Sequence, residues 1–577
     1  MNDIQPRGLR IVNLKDFGAA PGSGRNCIEA VRRAARACHE QPGSVLLFPP
    51  GRYDLWDVAG LAEWDRFMVS NAHRMPDNYE PPPYGLAMDF QRCRDLVIDG
   101  QGSTLMIRGF TQPFRFADCE NLVVKNLTID WDRPPYSVGR VAAETERGLE
   151  VEVFEEFPVS DGVPIHIMQE YDGADGRPTP REWMGVQRTE VTGGRLLRIT
   201  MGKRLGIAPG QLLVMRHPIC CFWGLEMLRC DNLRVQNVTL HATPGIGMMI
   251  RFCMGVRLER ITVAPRPGTR RIMSTNHDAI MPSGCGGVLE LRDSLIAGMG
   301  DDGFGGGSGR VTVVQRLDNR IIEACFPNFR DFHDKPHSVP PLAGNHAEFT
   351  KLGTGVYGEA EIAEVEFDDA AGTMRLVFRD DVPKEVAPGD LFSEIERMPE
   401  LRVTGCRFEP NRSRGVGIGR VQSALVEGNV FDRVGGSGIW MFQGYRGRCV
   451  GGVVIRNNEF NDCGHGVAHM GGNAVATFDH WYELPERFEG TGRVSHDILI
   501  EANRVRGTLG PAFSVCGVDG VKIRGNTFEN PRPVIRLKNC GRVEVTGNTF
   551  TGGPAGAAVA VEGTCDRVRI EQESVGA

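Results

Sequence analysis

Two short motifs hold the carboxylates best placed to do chemistry: Asn276-His277-Asp278 and Gly298-Met299-Gly300-Asp301-Asp302-Gly303. Asp278 and Asp301 are 23 residues apart. That interval matches one unit of the repeat described below, so the motifs are expected to lie one above the other, about 4.8 Å apart in the stacking direction. Three carboxyl groups so close cannot all ionise without repulsion, and at least one is expected to keep a proton near neutrality. Such a set suits glycoside hydrolysis, in which one carboxylic acid protonates the leaving oxygen while a carboxylate activates water or attacks the sugar. The structural alternative for an Asp-Asp pair beside glycines is a solvated turn or a cation site. Stacking on Asn276-His277-Asp278, just ahead of a break in the repeat, favours catalysis. Acid and base carboxyl groups roughly 6.5–9.5 Å apart would support inversion at the anomeric centre, and about 5–5.5 Å retention.

Other side chains are candidates to bind substrate around this trio. His277 adjoins Asp278, and Arg251, two residues before Cys253, is expected to project outward one coil earlier. Arg412 and Arg414 follow the second break and could bond sugar hydroxyls or a carboxylate or sulfate group; a solvated arginine ladder is the alternative. Trp440, in Gly438-Ile-Trp-Met-Phe442, could stack on a pyranose or pack in the core. His465 and His469 could contact substrate, and without a third convergent ligand no metal is assigned to them. No cofactor is called for.

These residues need a scaffold, and the chain supplies a repeat. Alternating apolar positions followed by Asn and then an aromatic or aliphatic residue recur in Asn121-Leu-Val-Val-Lys-Asn126-Leu-Thr-Ile129, Asn232-Leu-Arg-Val-Gln-Asn237-Val-Thr-Leu240, Ala424-Leu-Val-Glu-Gly-Asn429-Val-Phe431 and Val521-Lys-Ile-Arg-Gly-Asn526-Thr-Phe528. Asn503, Asn526 and Asn548 are spaced by 23 and 22 residues. A second set of short strands ends at small residues or cysteines, as in Met249-Ile-Arg-Phe-Cys253, Ile280-Met-Pro-Ser-Gly-Cys285 and Ile535-Arg-Leu-Lys-Asn-Cys540. A period of this length, with short strands and Asn or Gly turns, predicts a right-handed parallel β-helix, an all-β solenoid whose stacked coils bury one apolar column. Asn suits the repeated turn because it tolerates the left-handed region and its stacked copies can bond one another.

The opening Val12-Asn-Leu-Lys-Asp-Phe-Gly18, a helix over Cys27–Glu40 and Ser44-Val-Leu-Leu-Phe-Pro-Pro-Gly51 read as a cap on the first coil, whose exposed edge needs covering. The coil pattern breaks at 133–219 and 310–398, which read as two small β-barrel-like modules ending in Ala208-Pro-Gly-Gln-Leu212 and Ala387-Pro-Gly-Asp-Leu391. The chain thus divides into cap and first coils (1–132), a first module (133–219), coils with the Asp cluster (220–309), a second module (310–398) and C-terminal coils (399–577).

Composition agrees with this architecture. One repetitive fold with two insertions accounts for 577 residues, and 73 glycines with 35 prolines imply many turns. A net charge of −7 and short, scattered basic runs argue against nucleic acid as a partner. Sixteen cysteines spread over so long a chain, several at equivalent repeat positions, read as buried free thiols rather than a disulfide framework. No apolar stretch of about 18 residues is present to span a membrane. Read as it stands the chain is cytoplasmic; removal of a signal peptide would make it periplasmic or secreted. A homo-oligomer is compatible with the fold.

The motifs carry a resemblance. Asn-x-Asp followed one coil later by Gly-Asp-Asp resembles the polygalacturonases of glycoside hydrolase family 28. The order of His277-Asp278-Ala-Ile-Met-Pro-Ser-Gly-Cys285, Gly300-Asp301-Asp302-Gly303 and Asn411-Arg-Ser-Arg-Gly415 is still more similar to the α-1,3-galactosidases of family 110, β-helices interrupted by two small barrels. The resemblance implies a metal-independent, inverting hydrolase acting on a terminal α-linked galactose-like sugar, with Asp301 as general acid and Asp278 and Asp302 holding and deprotonating the water. Placement of the two modules beside the site suggests a walled pocket and exo action. After Asp302 the chain departs from family 110, running Gly-Phe-Gly-Gly-Gly-Ser-Gly309. The other readings are a polysaccharide lyase or polygalacturonase-like enzyme on an acidic glycan, and a non-catalytic glycan-binding β-helix.

Overall fold

The computed structural model describes residues 10–40, 42–73, 84–219, 222–307, 311–326, 339–351, 355–368, 372–442, 450–466, 471–478, 493–529, 534–551, 558–571 and 575–576. It is a right-handed parallel β-helix built on two parallel sheets, one of 24 strands and one of 12 among the described residues. Coils stack in register: Val235, Leu258, Leu291, Val403, Val426, Ile455, Ile500, Ile523 and Val545 pair successively along the longer sheet. All nine are buried. The apolar member of each alternating pair therefore falls on one column, and a slip of one residue would turn it to solvent. Phe408, Phe431 and Phe460 stack face to face beside it at 4.9 and 4.8 Å.

Buried asparagines form a second column. The Nδ2 of Asn429, Asn458, Asn503 and Asn526 donates to the Oδ1 of Asn458, Asn503, Asn526 and Asn548 respectively, at 2.9–3.0 Å. The left-handed residue here is not the ladder asparagine but the one before it: Gly428, Asn457, Ala502, Gly525 and Gly547 have φ of 52–66°. In the first coils the asparagines themselves, Asn121, Asn126, Asn232 and Asn237, take φ of 50–57°. Asn503 accepts from the Asn458 backbone and side chain and donates to the Ile455 carbonyl and Asn526. Asn503→Ala should therefore lower the folding free energy by about 2 kcal/mol, because the buried partners are left unsatisfied. A lowered urea midpoint with unchanged slope would show it; an unchanged midpoint would refute it.

The cap is a helix at Ile28–His39, with Ile28, Ala30, Val31, Ala34, Ala35 and Cys38 turned inward. Strands between Tyr136 and Arg216 form a seven-stranded antiparallel sheet. Its apolar face, including Tyr136, Val138, Leu149 and Val151, joins the core of the β-helix itself. Strands between Val311 and Glu394 close into a six-stranded barrel with a separate core around Ile322, Phe349, Ile362 and Phe392. The first module is thus fused to the scaffold, whereas the second is a satellite. All thirteen cysteines among the described residues are free, ten of them buried. No helix of the described residues is long and apolar enough to cross a membrane.

Candidate active site

The site lies in the turns that lead into three successive strands of the shorter sheet. Ile280 of Ile280–Ser283 pairs with Phe304 of Phe304–Gly306, which pairs with Val416 of Val416–Ile418. Residues two positions earlier therefore stack as Asp278, Asp302 and Arg414. Backbone bonds continue the register into the turns: Ala279 N–H donates to Asp302 O and Gly303 N–H to Arg414 O, both at 2.9 Å. This corrects the expected register. The coil is 24 residues long here, so Asp302 rather than Asp301 lies above Asp278, and Asp301 stands in the column of His277.

Each carboxylate has its own environment. Asp302 is buried and its oxygens are engaged: Oδ1 accepts from Ser413 Oγ at 2.6 Å and from Arg414 N–H at 3.3 Å, while Oδ2 accepts from Arg414 Nη1 at 2.8 Å. Asp278 is also buried; its Oδ1 accepts the Asp302 N–H at 3.1 Å and stands 3.1 Å from His277 Nδ1. Asp301 is the most open of the three, its side chain 27% exposed, with His277 Nε2 and Arg412 Nη1 each 3.9 Å away. One carboxylate oxygen of Asp278, one of Asp301 and a ring nitrogen of His277 lie within 4.8 Å of one another.

Electrostatics separate the two. Burial raises the Asp278 carboxyl to about 6, outweighing His277, with the charges of Asp301 and Asp302 adding to the rise. For Asp301 burial acts in the same direction but is overcome by His277, Arg412, Arg414 and Arg216, which bring it down to about 2. Of the two, Asp278 is therefore the one that holds a proton more readily, not the residue that the resemblance makes the acid. Carboxyls this close titrate as a pair, so the pair holds one proton between roughly these two values. His277, Asp278 and Asp301 offer three donor atoms within this reach, and no metal is assigned to them.

The remaining candidates fall into different surroundings. Arg414 is 2% exposed, its guanidinium 4.3 Å above the Trp440 ring and 5.5 Å from Phe442. Trp440 is itself only 1% exposed. Its ring is thus a bed for Arg414 and not a platform for a sugar, because burial leaves no face to stack on. Arg251 does not project outward into solvent either: it is buried, donates to Glu226 at 2.8 Å and lies 4.9 Å over Trp223, while Gln112 holds the other Glu226 oxygen at 3.0 Å. Arg412 is gripped by Glu182 through two bonds of 2.7 and 2.8 Å, which push its ionisation up despite burial. His465 is half-buried in a turn two coils beyond Arg412, where Gly466 N–H donates to Gly435 O. His469 lies outside the described residues.

Three contributors escaped sequence reasoning. Ser413 sits between two arginines that drew the attention, and only the register shows that its hydroxyl meets Asp302. Glu182 and Arg216 come from the inserted sheet. Arg216, 1% exposed, donates to the carbonyls of Gly300, at 3.4 Å, and Asn276. Asn276 in turn donates to the carbonyls of Pro135, at 2.9 Å, and Pro218. Asn276 thus fastens the turn of Asp278 to the two ends of the inserted segment and is fully buried. Neither Glu182 nor Arg216 lies in a repeat or motif, so no local signal marks them.

Fold and site together define a right-handed β-helix protein with a buried carboxylate cluster. Residues 396–575 match the family described as right handed beta helix region. Over 96% of its length the chain is 24% identical to alpha-1,3-galactosidase B of Bacteroides thetaiotaomicron, covering 93% of that protein. It is 25% identical to alpha-1,3-galactosidase A of Shewanella woodyi, over 86% of this chain and 84% of that one. Among solved structures it is similar to the family 28 exopolygalacturonase of Yersinia enterocolitica, with a TM-score of 0.40 and 11% identity, covering 97% of this chain and 78% of the other. The resemblance read from the motifs is borne out, and the relatives support a glycoside hydrolase.

Proposed function

We propose that this protein is an exo-acting glycoside hydrolase that releases a terminal α-1,3-linked galactose, with Asp278, Asp301 and Asp302 as its catalytic carboxylates. The observation that carries the reading is the split between two adjacent carboxyls, Asp278 at about 6 and Asp301 at about 2, in a chain similar over most of its length to enzymes named alpha-1,3-galactosidase. The Asp278–Asp301 pair supplies the proton that the leaving oxygen takes up, and the better exposed Asp301 is the member open to the glycosidic bond. Asp302, oriented by Ser413 and Arg414, holds the attacking water and takes its proton as the C–O bond to the sugar forms. The resemblance supports inversion.

A second reading, retention, is favoured by oxygens of Asp278 and Asp301 lying within 4.8 Å of each other, closer than the roughly 6.5–9.5 Å of inverting pairs. The acidic-glycan alternative loses support because the arginines that follow the trio already have carboxylate partners: Arg414 with Asp302 and Arg412 with Glu182. A uronate or sulfate would have to displace one of these carboxylates. Exo action is supported by the inserted sheet, which reaches over the turn of Asp301 through Arg216 and Glu182.

Because the reaction needs one proton on the pair, kcat/KM for an aryl α-galactoside should fall about tenfold per pH unit above about pH 6 as Asp278 ionises. A profile that is flat or rising between pH 6 and pH 8 would refute this role. A panel of aryl glycosides tests the sugar, with hydrolysis of the α-galactoside expected. Loss of activity on chelation with an ultraviolet-absorbing unsaturated product would establish the lyase instead.

A further inference from the structure

We propose that Glu182, from the inserted sheet, is a positioning residue of the active site: it holds the Arg412 guanidinium away from Asp301 and so leaves that carboxylate open to substrate. The inference rests on the glycosidase reading and assigns a task to the module that interrupts the coils.

The geometry is specific. Arg412 Nε and Nη2 are both committed to the Glu182 carboxylate, at 2.7 and 2.8 Å. Its remaining nitrogen, Nη1, donates to Gly300 O at 3.3 Å and stands 3.9 Å from Asp301 Oδ1. A shift of about 1 Å would close that gap to a charge-assisted hydrogen bond. Arg412 is 6% exposed, so a guanidinium released from Glu182 cannot turn to water and is drawn to the nearest carboxylate, Asp301.

The inserted sheet is built to exert this hold. Glu182 lies on Pro178–Trp183, which pairs antiparallel with Ile167–Tyr171, and that strand pairs with Leu212–Arg216, carrying Arg216. Neighbouring elements of one sheet thus grip the turn from two sides, and Arg216 and Arg412 both donate to the carbonyl of Gly300, the residue before Asp301. The groups facing Asp301 are His277 and Asp278 from one turn, Asp302 from its own, Arg412 and Arg414 from the next, and Arg216 from the inserted sheet. Of these, Arg412 is restrained from Asp301 by a carboxylate outside the trio, that of Glu182.

The test combines crystal structures with a mutant cycle. In crystals of Glu182→Gln, Arg412 Nη1 should move to about 3 Å from Asp301, and kcat should fall tenfold or more with a smaller change in KM. Glu182→Asp, which keeps the charge, should retain most of the wild-type kcat. In an Arg412→Gln background, Glu182→Gln should have no further effect. An Arg412 that stays in place in the Glu182→Gln crystal overturns the proposal, as does an equal loss of kcat in both backgrounds. Should Glu182→Gln fail to fold, a kcat for Glu182→Asp reduced tenfold or more overturns it and one near wild type supports it. A wild type inactive on every α-galactoside would sink the glycosidase reading, while the position of Arg412 would still decide this one.

Discussion

Asp301→Asn should reduce kcat by about 10³-fold on an α-galactoside while leaving the fold intact, in line with the 10²–10⁴ that a positioned acid or base contributes. The substitution keeps the volume of the side chain but removes its carboxylate from the pair that shares the proton. Asp278→Asn should cost a similar factor, because Asp278 is the member of the pair that holds the proton below about pH 6 and an oxygen of it lies within 4.8 Å of one of Asp301. Steady-state kinetics with a circular dichroism spectrum matching the wild type would establish the effect as chemical. Turnover within tenfold of wild type in the Asp301→Asn enzyme would remove the residue from the mechanism.

The second large effect is on stability. Arg414→Met should lower the folding free energy by about 3–5 kcal/mol, because it leaves the buried Asp302 carboxylate without its charged partner. Ser413 and the residue 414 backbone N–H would still bond Asp302, but neither carries charge. Loss of the guanidinium stacked on Trp440 adds to the cost. Combining Arg414→Met with Asp302→Asn should restore part of the stability, since no buried charge is then left unpaired. Urea midpoints of the two single variants and the double variant measure this. A double variant as unstable as the sum of the singles would contradict the ion pair's role.

The architecture was legible because a solenoid repeats its physical demands. Each coil must place an apolar residue on the same column, and the Val, Leu and Ile of the alternating strands do so from Val235 to Val545. The stacked asparagines were legible for the same reason, although their backbone was not. In the C-terminal coils the left-handed residue precedes Asn and is sometimes as unexpected as Ala502. Register was harder to read. An interval of 23 residues pointed to Asp301 over Asp278, whereas the pairing of Ile280 with Phe304 sets it at 24 and brings Asp302 there.

The parts that stayed hidden depend on long-range packing. Trp440 stayed open between a sugar platform and the core because its sequence neighbours do not show Arg414 lying over it from the preceding coil. Arg251 read as outward-facing because Glu226 and Trp223, one coil earlier, carry no mark of pairing with it. Glu182 is separated from Arg412 by 230 residues and lies in a module that breaks the repeat. A pattern argument has no purchase on such a residue; only the fusion of that module to the β-helix core brings it to the site.

The most direct test of the central claim is a proton NMR time course of the wild-type enzyme acting on an α-1,3-linked galactosyl disaccharide. The expected result is release of free galactose whose first-formed anomer is β, with the signal absent for Asp301→Asn. No release of galactose, or an unsaturated sugar in its place, would contradict the account.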